Sequence, residues 1–240
     1  MKKLLVGLLV LGSVLSFAAE RKVQVEQVFK NANTGIVYVQ GEETPYTGVV
    51  EAKYKNGKIN ILVSYKNGKM EGISKNYYSN GKLESEQTYK NNIREGITKE
   101  YSENGKLKAQ TPYRNGKIEG IRKIYSPNEI LEEEVEYKNG KMDGTSKLYY
   151  PSGKLKSVAT FKNGVQIGIQ KDYYEDGKLR LEALYKNGER EGLSKSYYPN
   201  GKVQVEVNFK NGELDGILKK YDETGKVVDQ MIFKNGVQVK

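Results

Sequence analysis

Seven tyrosines recur at one fixed interval. Tyr77, Tyr101, Tyr125, Tyr149, Tyr173, Tyr197 and Tyr221 each follow the previous one by 24 residues. Two positions before each stands a lysine: Lys75, Lys99, Lys123, Lys147, Lys171, Lys195 and Lys219. Residues two apart on an extended strand point to the same side, so the two series form parallel rows on one surface. Phenol rings stack or pack, and ammonium groups neutralise negative charge. The chemistry open to such rows is recognition of an extended anionic ligand. The same pattern also fits an architectural role, with tyrosine filling the apolar side of a sheet. Lysine then covers that side with its stem while its head stays in water.

Bond-making chemistry has few candidates. The 240 residues include no His and no Cys. The usual general base near neutral pH, the commonest metal ligand, thiol nucleophiles and disulfides are therefore missing. Carboxylates, Lys, Ser and Tyr remain, but acidic pairs copied into every unit read as structure. The chain is expected to be non-enzymatic, with no cofactor and no metal site. Its 40 basic and 30 acidic residues give a formal charge of +10, which favours anionic partners or simply a well-solvated surface.

Three further series define the elements that carry these rows. An aromatic-Lys/Arg-Asn triplet begins at Tyr65, Tyr89, Tyr113, Tyr137, Phe161, Tyr185, Phe209 and Phe233. Glycines at 48, 72, 96, 120, 144, 168, 192 and 216 keep the same interval. So do Gly57, Gly81, Gly105, Gly153, Gly177, Gly201 and Gly225, interrupted at Glu129. Within Gly72 to Glu95, Ile73, Lys75 and Tyr77 alternate with Ser74, Asn76 and Tyr78, as strand residues do. Ser79-Asn80-Gly81 turns the chain, and Leu83, Ser85, Gln87 and Tyr89 are expected to share one face of the return strand. Lys90-Asn91-Asn92 then turns again, with Asn in the place of the usual Gly.

The fold expected is all-β: an elongated, single-sheet antiparallel array of β-hairpins, about eight repeats of 24 residues. Sixteen strands would extend it roughly 75 Å, with strand twist bending the sheet into a trough. Each hairpin is marginal alone, so stability must come from its neighbours. The series Ile73, Ile97, Ile121, Ile169, Leu193 and Ile217, with Leu83, Leu107, Leu131, Leu155 and Leu179, is expected to build a one-sided core. Turn lysines (among them Lys66, Lys90, Lys138 and Lys162) line one long edge, offset by Glu71, Glu95, Glu119, Asp143, Glu191 and Asp215.

The first residues carry a different signal. Lys2-Lys3, the apolar stretch Leu4 to Phe17 and the small residues Ser16 and Ala18 have the form of a signal peptide. The organisation expected is a signal peptide over 1–18, an N-terminal cap over 19–47 and the repeat array over 48–240. Export to the periplasm, the outer surface or the medium follows as the expected localisation. The final strand has no polar capping unit after it and is a candidate for pairing with a second copy.

Segments such as Tyr65-Lys66-Asn67-Gly68-Lys69-Met70-Glu71-Gly72, Tyr77-Tyr78-Ser79-Asn80-Gly81-Lys82-Leu83 and Pro45-Tyr46-Thr47-Gly48 resemble the MORN repeat variant family of bacteria. The resemblance covers about residues 45–240, departing at Asn92 and at Pro127-Asn128-Glu129-Ile130. It implies protein scaffolding or binding to acidic phospholipids. Many bacterial members carry an antitoxin label, which fits poorly with export. Some carry a phosphatidylinositol phosphate kinase label, which is rejected here because no Gly-rich phosphate loop, catalytic-loop Asp or Mg-binding motif is present. The functional expectation is an exported, non-catalytic scaffold or adhesion-related module of the bacterial envelope or exterior, binding protein partners. The alternatives are a binder of anionic lipid headgroups or acidic glycans, and an antitoxin-like protein that neutralises a partner. Nucleic acid is not expected as a partner.

Overall fold

The computed structural model describes residues 20–239, so the expected signal peptide lies outside the described residues. The chain is an open sheet of 21 strands running from one hairpin to the next. Each unit has an outward strand, such as Lys69–Tyr77, and a return strand, such as Leu83–Lys90. These pair antiparallel, and the return strand then pairs with the outward strand of the next unit. Three outward strands are interrupted, at Glu95, Glu119 and Glu191, which raises the strand number above sixteen together with short strands at either end.

The turns follow from residue type. Asn67 and Gly68 sit at φ 50° and 71°, the pair of left-handed conformations that a tight antiparallel turn with native twist requires. Asn92 takes the Gly role at φ 68°, and Glu129 does so at φ 62°, where its Cβ is strained. Each outward strand also meets a register shift just before its ladder tyrosine. Asn76 faces Ser85, but Tyr77 faces Leu83, so Glu84 is an extra residue. Leu83 consequently lies opposite Tyr77 and leaves the side of Ser85, Gln87 and Tyr89 on which the alternation placed it.

The expected core is corrected in the same way. Ile73, Ile97, Ile121, Ile169, Leu193 and Ile217 are all exposed, between 41% at Ile217 and 54% at Ile169. A single sheet provides no second layer to lie over them. The buried positions in the array are mostly small: Ser74, Ser85, Thr98, Ala109, Thr111, Val135, Ala183 and Ser194. Ser85 shows how they are covered, because the amides of Asn76 and Gln87 both donate to its hydroxyl at 3.0 and 3.4 Å. Among the described residues, a compact apolar cluster forms only where the N-terminal hairpin, Val28–Lys30 with Val37–Val39, lies over the first unit. Val23, Val37, Val39, Tyr46 and Val50 bury one another there, with Val28 and Tyr65 packed alongside. The Tyr46 hydroxyl lies 2.9 Å from the carbonyl oxygens of both Arg21 and Val49.

Neighbouring units are tied by side chains as well as by the ladder. The tyrosine after the ladder tyrosine reaches the next unit: Tyr78 donates its hydroxyl to the Tyr101 carbonyl at 2.7 Å. Tyr54, Tyr150, Tyr174 and Tyr198 do the same to Tyr77, Tyr173, Tyr197 and Tyr221. On the opposite edge, acids cap the turn that follows the next return strand, as Glu71 accepts from the Asn91 N–H at 2.8 Å and Glu119 from that of Asn139 at 2.7 Å. Replacing Glu129 by Gly should relieve left-handed strain and raise unfolding stability by about 1 kcal/mol, read as a higher urea midpoint at unchanged slope. An unchanged or lower midpoint would show that the conformation carries no strain.

Candidate functional site

Register places three rows on the side of the sheet that carries the tyrosine and lysine series. Ile73 faces Thr88, Lys75 faces Glu86 and Tyr77 faces Leu83 across one hairpin, and the other units repeat this arrangement. The middle row can be followed strand by strand: Lys75, Glu86, Lys99, Gln110, Lys123, Glu134, Lys147, Val158, Lys171, Glu182, Lys195, Glu206, Lys219 and Gln230. Each is the direct cross-strand neighbour of the next. All seven ladder tyrosines and all seven ladder lysines are half-buried.

The structure brings tyrosine and lysine together through acids on the intervening return strands. Lys75, Lys123 and Lys195 form ion pairs with Glu86, Glu134 and Glu206 at 3.4, 3.2 and 3.0 Å. Tyr149 donates to Glu134, Tyr197 to Glu182 and Tyr221 to Glu206, at 2.7, 2.7 and 2.8 Å. Tyr125 makes a longer bond of 3.4 Å to Gln110. Sequence reasoning missed these return-strand partners, although Glu86, Gln110, Glu134, Glu182, Glu206 and Gln230 keep the same 24-residue register. Seven lysines against four glutamates leave a surplus of three positive charges along the row. The row is therefore a partly neutralised network rather than a bare cationic track.

Titration behaviour follows from this network. The Tyr149 hydroxyl foremost, with Lys123 behind it, holds the Glu134 carboxyl below its ordinary range. Lys195 and then Tyr221 do the same for Glu206. Partial burial, reinforced by the facing carboxylates, pushes Tyr149 and Tyr197 up to about 12.

The opposite side carries a feature that the sequence reading did not anticipate. The Arg94 guanidinium lies 5.2 Å from the ring centre of Tyr113, and its Nε and Nη1 donate to the hydroxyls of Tyr89 and Tyr113 at 3.3 Å. Arg190 sits in the same way over Phe209 at 5.2 Å and donates to Tyr185 at 3.2 Å. These arginines bind adjacent units to each other. Among the described residues, no cluster of three or more His, Cys, Asp or Glu is placed to hold a metal ion.

A family model described as MORN repeat variant matches eight consecutive segments, residues 46–67, 70–91, 94–115, 118–139, 142–163, 166–187, 190–211 and 214–235. No curated protein matches the chain. Among solved structures, a porin-like protein from Bacteroides uniformis is 8% identical over 83% of this chain and 89% of that one, with a TM-score of 0.21. A TcdB2-TccC3-Cdc42 structure is 11% identical over 82% of this chain and 13% of that one, with a TM-score of 0.17. Likeness at these scores carries no argument about shape or role.

Burial of Tyr149 and Tyr197, and then their bonds to glutamate, sets an alkaline limit. Because folding raises these tyrosine pKa values above the ordinary 10.0, the stability they contribute is complete below that pH and is lost as pH rises through about 12. In an ultraviolet titration, Y149F and Y197F should each remove one late-ionising phenol. E134Q should bring Tyr149 part of the way back toward its ordinary value. Phenols that all ionise together would overturn this account.

Proposed function

The chain belongs to the MORN repeat variant family, with repeats consecutive from residue 46 to 235, and on that premise we propose that it is an exported, non-catalytic scaffold that binds a protein partner along its striped face. The observation that carries this reading is the row of exposed aliphatics, one in nearly every unit, which no other part of the described chain covers. Large aliphatic side chains exposed in register, with polar residues between them such as Thr88, Glu136 and Asn208, suit a protein–protein surface. Its anchors recur every second strand, roughly 9–10 Å apart. An elongated partner can engage several at once, and individually weak contacts then accumulate.

Other observations bear on the finer points. The acids within the lysine row reduce the field available to an anionic membrane or glycan, which favours a protein partner over those surfaces. The absence of His and Cys from the sequence supports a non-catalytic role. The basic, apolar and small-residue pattern of residues 1–18 supports export to the bacterial envelope or exterior.

Photo-crosslinking in the native envelope tests the reading. A crosslinkable residue in place of Ile121 or Ile169 should capture one discrete protein. Ile121→Thr with Ile169→Thr should weaken the isolated complex about tenfold per site while the strand circular dichroism is unchanged. Thr145 already occupies the equivalent position in the fifth unit, so the substitution is compatible with the fold. Adducts arising equally from Gln87 on the other side, or binding that vanishes with added salt but not with these substitutions, would overturn it.

A further inference from the structure

The ties along the edge formed by the Asn-Gly-Lys turns are not uniform. Between the first two units there are three: Tyr54 to the Tyr77 carbonyl, the Asn56 amide to the Ser79 carbonyl, and the Lys58 ammonium to the Asn80 carbonyl. The next junction repeats them from Tyr78, Asn80 and Lys82. The last junction repeats them from Tyr198, Asn200 and Lys202, the one before it keeps two, from Tyr174 and Lys178, and the fifth-to-sixth keeps the tyrosine tie, from Tyr150.

The middle differs. Ser102 and Ser126 occupy the positions of the tying tyrosines and are too short to reach the next unit. Among the described residues, one side-chain hydrogen bond joins the third unit's turn to the fourth's, from the Leu107 N–H to Glu129 at 3.4 Å, and none joins the turns of the fourth and fifth. At these two junctions the face-side bonds Tyr125–Gln110 and Tyr149–Glu134 remain. The fourth unit's turn is also the one with the strained Glu129.

The opposite edge stays closed through the same region. Asn115, Asn139 and Asn163 donate their N–H groups to Glu95, Glu119 and Asp143 at 2.9, 2.7 and 3.1 Å. Arg94 holds Tyr113. Main-chain bonds run from Gly116 to Arg94 and from Gly140 to Ile118, both at 2.9 Å.

We infer that the fourth unit is a pivot, at which the array splays along its loosened turn edge while the opposite edge holds. The sheet is then two stiff arms, units one to three and units five to eight, whose mutual twist varies. Regions that lack tertiary ties open more readily than their neighbours, and here the ties are missing on one side only, which fixes the direction of the motion. The variable twist alters how the two halves of the aliphatic row are presented to an elongated partner.

Hydrogen exchange and spin labelling of the full chain test this. Amides at 129–131 should exchange at least ten times faster than those at 81–83 and 201–203. The chain has no cysteine, so label pairs are clean. The pair E103C/S152C, which straddles the pivot, should give a distance distribution at least twice as wide as E175C/E223C, which lies within one arm. Restoring the ties with S102Y and S126Y should narrow the first distribution to the width of the second. In the reverse direction, Y198S should speed exchange at 225–227 several-fold, which decides the matter if the tyrosine pair does not fold. Uniform protection across the turns, with label widths and exchange rates indifferent to these substitutions, would overturn the inference.

Discussion

Every row of side chains on this protein is regular because each unit closes on the one before it through the same main-chain bond. The glycine N–H of one turn donates to a carbonyl 22 residues earlier, as Gly116 does to Arg94, Gly140 to Ile118 and Gly188 to Gln166. The bond forms only if the turn adopts its left-handed pair of conformations, which is why Asn and Gly recur there and why Asn92 substitutes without disturbing the sheet. Once this contact is fixed, strand spacing and register are fixed too. The lysine, tyrosine and isoleucine rows then follow from position within the unit.

A single sheet has to stabilise two faces without a second layer, and the chain meets this with small and polar residues rather than large apolar ones. On one side serines, threonines and alanines sink between longer neighbours, and arginines lie against aromatic rings. On the other side lysine, glutamate and tyrosine satisfy one another across strands. Half-exposed ion pairs of this kind contribute little individually. Their value here is geometric, since a tyrosine whose hydroxyl is held by the neighbouring strand cannot drift from its row.

Much of this architecture was legible from spacing. Asn67-Gly68 and its equivalents announced the turns, and the interval of the ladder residues announced the hairpin array. The faces were less legible, for two physical reasons. The extra residue at Glu84 shifts Leu83 across the sheet, and simple alternation cannot register such a bulge. Ile73 and its counterparts look like core because they are large, apolar and periodic, yet nothing among the described residues packs over them. Of the candidate site, the tyrosine and lysine rows were visible and their joining acids were not. The Glu134–Tyr149 contact links two units, and its meaning depends on which strands are adjacent. The ties from Tyr78 and its equivalents were hidden for the same reason, and with them the contrast at Ser102 and Ser126.

The side-chain ties between repeat units reach only as far as the adjoining hairpin, with partners 15 to 23 residues apart. Within the repeat array, each described strand pairs with the strands next to it in sequence, whereas Lys22–Gln24 pairs parallel with Gly48–Lys53 across the N-terminal hairpin. Such a molecule can assemble like a zipper, each finished hairpin serving as the template for the next. For the same reason its length is open to revision by copy number: duplicating or deleting one whole 24-residue block leaves every surviving junction chemically intact. The length of the sheet is thus a property that inheritance can adjust in discrete steps.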